Sequence, residues 1–379
     1  MSERLIVLIC PKIPPVRDGV GDYTRCLASE LAKRHRVTII TTDREAPADV
    51  EDCRVMTVPD WGSRGMVQLR LILDELKPSL INFQWVPFLW GRWGVNVALP
   101  LVALQLRRAG YHVVTTVHEP YVDFKFGRRL PMAVIQRLEL WTLMSGSAKV
   151  AVTISAWTRM FQTRFFWRQR DIFWLPVGSN IPRLPMGRAE RERVRASLGV
   201  GEHELAVVMF NPLGAGKLID ESYAAWEAIA LREPAAKLIV IGCERGQLKG
   251  TPPASDRVIC TGYAEPEEVS RLLSSSDLCL AAYIDGVSAR RGAVMAAIAH
   301  GLPTVSTVGP LTDRELFDDS PLVLVPVTDR NGFVDAAVQL AGDVARRQAL
   351  HQPTSDFYQR HFAWPLIANK LTEACLTAA

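Results

Sequence analysis

Short β-branched and aliphatic runs alternate with segments of helical period along almost the whole chain. "RLIVLIC" precedes "GDYTRCLASELAKRH", and "RVTIITT" follows. Later come "SLINFQW", a helical segment near Asn96 to Ala109, and "YHVVTTVHE". "AKVAVTIS" leads into "AWTRMFQTRFF", with Ser155 placed to cap that helix. This alternation predicts βαβ units on parallel sheets. It breaks in "LPVGSNIPRLPMGRAERERV", where prolines, glycines and a charged run read as a linker. It restarts with "ELAVVMF", "AAKLIVIG", "DRVICTG", "DLCLAAY", "PTVST" and "LVLVPV", and the last stretch, "FAWPLIANKLTEACLTA", reads as an amphipathic helix. The expected fold class is α/β, with two Rossmann-like domains, 1–182 and 183–361, facing each other across a cleft, and a final helix at about 362–379.

Composition agrees with that division. The 379 residues exceed one ordinary core and suit two domains of roughly 150–200 each. Hydrophobic residues at 48% against 22% charged exclude a disordered chain. A net charge of +4 suits an anionic ligand or membrane surface and is too small to argue for nucleic acid. Seven cysteines without a CxxC pair are expected as buried free thiols in a reducing compartment. "MSERLIVLIC" opens directly into a strand, so no signal peptide is expected. No apolar run approaches the roughly 20 residues of a membrane span, and the expected location is cytoplasmic.

In open α/β sheets ligands bind at the carboxyl ends of strands, and the chemistry-bearing motifs fall there. "PPVRDGVGDY" follows the first strand. Gly19 and Gly21 would let the backbone approach a ligand, with helix N-terminal amides to hold phosphate or simply to form a tight turn. "FNPLGAGK" follows the first strand of the second domain. It is not a Walker loop, since Asn211 replaces the first glycine and Leu218 the Ser/Thr, but Lys217 after Gly216 can serve as a point charge on phosphate. In "TTVHEPY", His118 ends a strand and Glu119 is placed to orient it or to face solvent. No second His or Cys stands at metal spacing, so no metal is expected. The aromatics Trp85, Phe88, Trp90 and Trp93 of "NFQWVPFLWGRWG" read as a packing loop, an acceptor pocket or a membrane-interface contact. "FFWRQRD" reads as a lipid-facing patch or as packing with snorkelling arginines. "IDGVSARRGAVMAAIAHGLPTVST" reads as a helix beginning at Ser288 and stopped by Gly301 and Pro303. Arg290 and Arg291 then sit at its positive end, which calls for an anion.

Taken in order, these motifs resemble the GT-B-fold retaining glycosyltransferases of family 4. The resemblance spans "RDGVGDY", "VHEPY", "TISAW", "LPVGSNIP", "GAGKLID", "TGYAEPEEVSRLLSSSDL", "AIAHGLPTVST" and "FAWPLIANKL". It implies that the final helix packs back on the first domain. It also implies sugar transfer from a nucleotide sugar to a sugar, lipid or natural-product acceptor, with retention, no metal and no further cofactor. His118, Lys217, Arg290 and Arg291 would be catalytic. Gly19, Gly21, Asn211, Gly216, Gly262, Tyr263, Asp285, Ser288, Ala289 and Gly292 would bind the donor. Trp85, Trp90, Glu119 and Tyr121 would bind the acceptor. No nucleic-acid partner is implied, and a peripheral contact with the inner face of a membrane is an added expectation.

Three departures stand out. The family's two glutamates, eight residues apart, align with Ser288 and Ala296, and its phosphate-binding arginine aligns with Asn211. The alternatives are a catalytically degenerate scaffold on the same fold and a nucleotide-sugar epimerase, for which Asp285 would be one carboxylate of a missing pair.

Overall fold

The computed structural model describes residues 3–42, 50, 52–122, 130–214, 216–250 and 255–376. The chain divides into two compact units, Met1–Val177 with Trp364–Ala379, and Gly178–Ala363. The first unit is built on β1 (Leu5–Ile9), β2 (Arg36–Thr42), β3 (Cys53–Val58), β4 (Leu80–Trp85), β5 (Val113–Val117), β6 (Lys149–Val152) and β7 (Ile172–Trp174). These form one parallel sheet in the order β3-β2-β1-β4-β5-β6-β7. All six residues of β4 are buried, as a strand covered on both faces requires. The connections carry α1 (Gly19–Ala32), α2 (Ser63–Leu76), α3 (Pro87–Trp90), α4 (Ala98–Arg108), α5 (Leu130–Ser145) and α6 (Ser155–Arg164).

The second unit repeats the plan. Its strands are β8 (Ala206–Phe210), β9 (Lys237–Ile241), β10 (Val258–Cys260), β11 (Leu278–Ala281), β12 (Thr304–Val308) and β13 (Val323–Pro326). The parallel order is β10-β9-β8-β11-β12-β13. Its helices are α7 (Arg188–Ser197), α8 (Ile219–Arg232), α9 (Pro266–Ser275), α10 (Gly292–Ala299), α11 (Arg314–Phe317), α12 (Arg330–Gly342) and α13 (Val344–His361). Trp226 of α8 and Phe333 of α12 pack with Val207, Leu238 and Val305 in one core cluster. Both units are Rossmann-like, and in each the strand order reverses once, between β1 and β4 and between β8 and β11.

The chain then returns to the first unit as α14 (Trp364–Leu376), which packs on α1. Ile367, Leu371 and Cys375 join Leu8, Tyr23 and Leu27 in one cluster. The opposite cluster takes side chains from α2, α4, α5 and α6, among them Leu69, Leu99, Leu143 and Phe161.

Two expected helix starts are corrected. Ser155 is not a cap: α6 is capped at Ile154, and the Ser155 hydroxyl is buried without a partner. The helix expected from Ser288 begins at Gly292. All seven cysteines are free, and burial pushes the Cys10 and Cys279 thiols up to about 12.

One core carboxylate is poorly accommodated. Glu139 of α5 accepts from the Asn96 amide at 2.7 Å through Oε1, while Oε2 is buried with no partner. Burial pushes its pKa up to about 7 from an ordinary 4.5. A carboxyl raised by folding favours the folded state in its protonated form, so stability falls as pH rises from about 4.5 to about 7. Glu139→Gln keeps the acceptor for Asn96 and removes the charge. It should raise stability by about 2–3 kcal/mol at pH 8 and leave it nearly unchanged at pH 4. Urea unfolding at the two pH values measures this, and equal gains at both would contradict it.

Candidate active site

In the second unit the loops after β8 and β11 are neighbours because their strands flank the reversal. Backbone bonds join them. Lys217 and Tyr283 form an antiparallel bridge, the Leu218 amide donates to Ala282 O at 3.0 Å, and the Ile284 amide donates to Gly216 O at 2.9 Å. Asn211 turns the chain out of β8 at φ 49°, a left-handed conformation that asparagine tolerates. Gly216 has φ 76°, and a Cβ there would lie 3.0 Å from Arg291 Nη2.

This backbone presents a cluster of cations. Lys217 Nζ donates to Phe210 O at 2.5 Å and lies 5.5 Å from the centroid of the Tyr283 ring. The Arg291 guanidinium lies 4.6 Å from the same ring, within range of a cation–π attraction. Burial pushes the Lys217 pKa down to about 8, and the Arg291 charge acts in the same direction. Asp285 receives both arginines, with Arg290 Nη2 2.5 Å from Oδ2 and Arg291 on Oδ1. Two of the three cations therefore share one carboxylate in this loop pair, and Lys217 shares the Tyr283 ring with Arg291.

The ion pairs also explain the late helix start. The Arg291 amide donates to Ser288 O at 3.0 Å in a turn that brings both guanidiniums to Asp285, and helical geometry begins only after it. Arg290 and Arg291 thus precede α10. The positions aligned with the family's two glutamates, Ser288 and Ala296, are fully buried, as Ala289 nearly is. The Ser288 hydroxyl has no partner. Gly262, at φ 66°, ties the loops after β10 and β9 together by donating to Cys243 O at 3.1 Å, and Tyr263 beside it is exposed.

In the first unit the glycine loop does less than expected. The Asp18 carboxylate accepts from the Val20 and Gly21 amides at 2.9 and 3.0 Å, so these two N-terminal amides of α1 are already occupied. Gly21 is small because a Cβ would come within 2.6 Å of Lys12 O, whereas Gly19 has open space around it. Trp85 and Trp90 are corrected as acceptor contacts. Both rings are buried in the core, donating to Pro120 O and Gln84 O, and the exposed aromatics of that stretch are Phe88 and Trp93. Glu119 is exposed, while Tyr121 accepts from Arg164 at 2.7 Å and stacks on Arg137 at 3.9 Å.

His118 follows β5, buried beside β4, with the Tyr23 ring edge-on at 4.7 Å. Its Nε2 is 2.8 Å from Gln84 Oε1, and Gln84 donates in turn to Asn82, which contacts Thr116. Burial pushes the imidazole down to about 3, so it is neutral at physiological pH. An amide oxygen at Nε2 requires a proton on that nitrogen, which leaves Nδ1 as the lone-pair side. Sequence reasoning missed Gln84 and Tyr283. The polar residues at alternate positions in "LINFQW" and the tyrosine ending "DLCLAAY" are signals that could have found them.

Solved structures share this fold of two Rossmann-like units. A sucrose-phosphate synthase from Thermosynechococcus elongatus is 19% identical, with 98% of each chain covered and a TM-score of 0.74. HepE from Anabaena, solved with UDP and glucose, is 15% identical over 98% of this chain and 99% of its own, at TM-score 0.70. WaaG, a glycosyltransferase involved in lipopolysaccharide biosynthesis, is 14% identical over 98% and 100%, at TM-score 0.68. Two tandem Rossmann-like domains of this kind define the GT-B class. Family models described as Glycosyltransferase Family 4 and Glycosyl transferases group 1 match residues 17–178 and 208–343. The chain is a GT-B glycosyltransferase of family 4-like type. Among curated proteins none matches the sequence significantly.

The Gly216 turn gives a direct check on the cation cluster. Gly216→Ala puts an L side chain at positive φ and against Arg291, so it should lower stability by about 1–2 kcal/mol. Denaturant unfolding reads the change, and an unaltered midpoint would mean that the turn does not hold Arg291.

Proposed function

We propose that the chain transfers a sugar from a nucleotide-diphosphate donor to an acceptor hydroxyl, with retention at the anomeric carbon and without a metal ion. The observation that carries this reading is the cluster of Lys217, Arg290 and Arg291 at the reversal of the second sheet, where Asp285 pairs with the two arginines. Transfer breaks the bond between the anomeric carbon and the diphosphate oxygen and forms one to the acceptor oxygen. The acceptor proton ends on the departing phosphate, in a front-face attack that needs no enzymatic nucleophile. Negative charge grows on that phosphate, and preorganised cations stabilise it. Lys217 acts as a point charge and the arginines as planar forks, so the charge a metal would otherwise carry is met by side chains.

His118 contributes orientation and not charge. With Nε2 bonded to Gln84, Nδ1 accepts from a hydroxyl of the donor sugar. The remaining donor contacts of this reading are Gly19, Asn211, Gly262 and Tyr263, and Glu119 and Tyr121 are the acceptor contacts. HepE is described with UDP-glucose, and an E. coli trehalose-6-phosphate protein with UDP-2-fluoro glucose, which makes uridine nucleotides the first probes to use. Buried Ala296 leaves the ribose without a carboxylate clamp, so tolerance of a deoxyribose donor such as a dTDP-sugar belongs to the proposal. Free thiols suit a cytoplasmic location. The absence of both family glutamates favours a second reading, a degenerate binding protein.

Calorimetry separates the two. The transferase should bind UDP or dTDP, and a chain that binds no nucleoside diphosphate is the degenerate one. In the active enzyme Lys217→Ala should reduce kcat/KM by about 2–4 kcal/mol of transition-state stabilisation, and wild-type turnover would remove Lys217 from the mechanism. The Lys217 pKa adds a pH signature. The protonated amine attracts the diphosphate, so affinity should be full below about 8 and fall as pH rises through it. Lys217→Met should bind more weakly and show no such fall, and an identical fall in the variant would assign the titration to another group.

A further inference from the structure

On one side of the first sheet, α5 is apolar on both faces. Inward, Leu140 and Leu143 of α5 enter the core. Outward, Leu130, Val134, Leu138 and Trp141 recur at one face of the same helix, each between 36% and 53% exposed. A helix apolar all round is normally buried or in lipid. The pattern continues on its neighbours, since α2 packs on α4 and α4 on α5. Val67 and Leu71 of α2 and Val97 and Leu101 by α4 are all more than half exposed. Beyond the end of α5, Arg168 donates to the carbonyls of Met144 and Ser147, which anchors the turn bearing exposed Phe166 and Trp167. Of the eighteen exposed large hydrophobics among the described residues, thirteen lie between Val67 and Trp167.

Charge follows the same segment. Residues 61–172 hold fifteen Lys/Arg against six Asp/Glu, a formal +9, so the remainder of a +4 chain is at −5. Arg64, Arg92, Arg107, Arg108, Arg164 and Arg170 of this segment are exposed. Among the described residues no helix is long and apolar enough to cross a membrane. Apolar and aromatic side chains interleaved with arginine, without a span, are the composition of an interfacial anchor.

We propose that the layer formed by α2, α4, α5 and the 166–171 turn seats this protein on an anionic bilayer surface. Apolar side chains enter the headgroup boundary, and the arginines meet lipid phosphate and carboxylate. A second copy is the competing occupant. A two-fold contact would set this surplus of positive charge against itself, whereas anionic lipid neutralises it.

The test uses the full chain with vesicles of phosphatidylcholine, alone or with about 30% phosphatidylglycerol. The chain should sediment with the anionic vesicles at least ~10-fold more strongly than with the neutral ones, and less so in high salt. The variant Val134→Gln, Leu138→Gln, Trp141→Gln changes only exposed positions. It should lose at least ~10-fold in vesicle binding while keeping its thermal melt and its affinity for nucleoside diphosphate. Three results would overturn the proposal: wild-type chain left in the supernatant with both vesicle types, a triple variant that binds as wild type does, or a dimer by light scattering that the triple variant abolishes. Loss of nucleotide binding throughout would count against the donor reading and leave this surface untouched.

Discussion

A parallel sheet must be covered on both faces, because its strands carry apolar side chains above and below. That constraint shapes both units. It sets helices against each face of β1 to β7 and of β8 to β13, and it makes the reversal of strand order the place where loops are left without a covering helix. The cation cluster stands at one such place. The polar chain Thr116–Asn82–Gln84–His118 belongs to β4, β5 and the residue after β5, beside the other. The same constraint makes the outer surface of α5 conspicuous, since covering the sheet requires one apolar face of a helix and not two.

The two units handle charge differently. In the first, burial holds His118 neutral and hydrogen bonds decide which nitrogen carries the proton. In the second, charges are kept. Asp285 gathers two guanidiniums, Tyr283 offers its ring to Arg291 and Lys217, and backbone bonds between the loops keep the cations together despite their repulsion. The consequence for chemistry is a division between groups that orient by hydrogen bonding and groups that stabilise developing negative charge.

Much of this was legible in the sequence. Strands such as "RLIVLIC" and "AAKLIVIG" are apolar runs bounded by turn residues, and their alternation with helices is enough to give two α/β units. His118 could be singled out because it follows a strand directly, and Lys217 because it ends the glycine-containing turn after one. Other features depend on residues distant in sequence or on burial. The late start of α10 comes from Asp285, which draws in Arg290 and Arg291 where local pattern suggests helix from Ser288. Trp85 and Trp90 belong to an aromatic run that looks like a surface loop, yet their indoles donate to backbone carbonyls inside the core. Gly21 has the appearance of a ligand-approach glycine, and the need for it is the nearby carbonyl of Lys12.

The return of α14 to the first unit has a consequence for how the protein is made. Arg4 Nη1 donates to Leu376 O at 2.8 Å, and Arg34 to Asn369 at 3.0 Å, so the first strand region and first helix are joined to residues the ribosome adds only after the whole second unit. Ile367, Leu371 and Cys375 cover apolar surface that α1 alone leaves open. Domains usually mature in the order of synthesis. Here the second unit has all its strands before the first unit gains α14, so the nascent chain carries an unfinished sheet face throughout the elongation of the second unit.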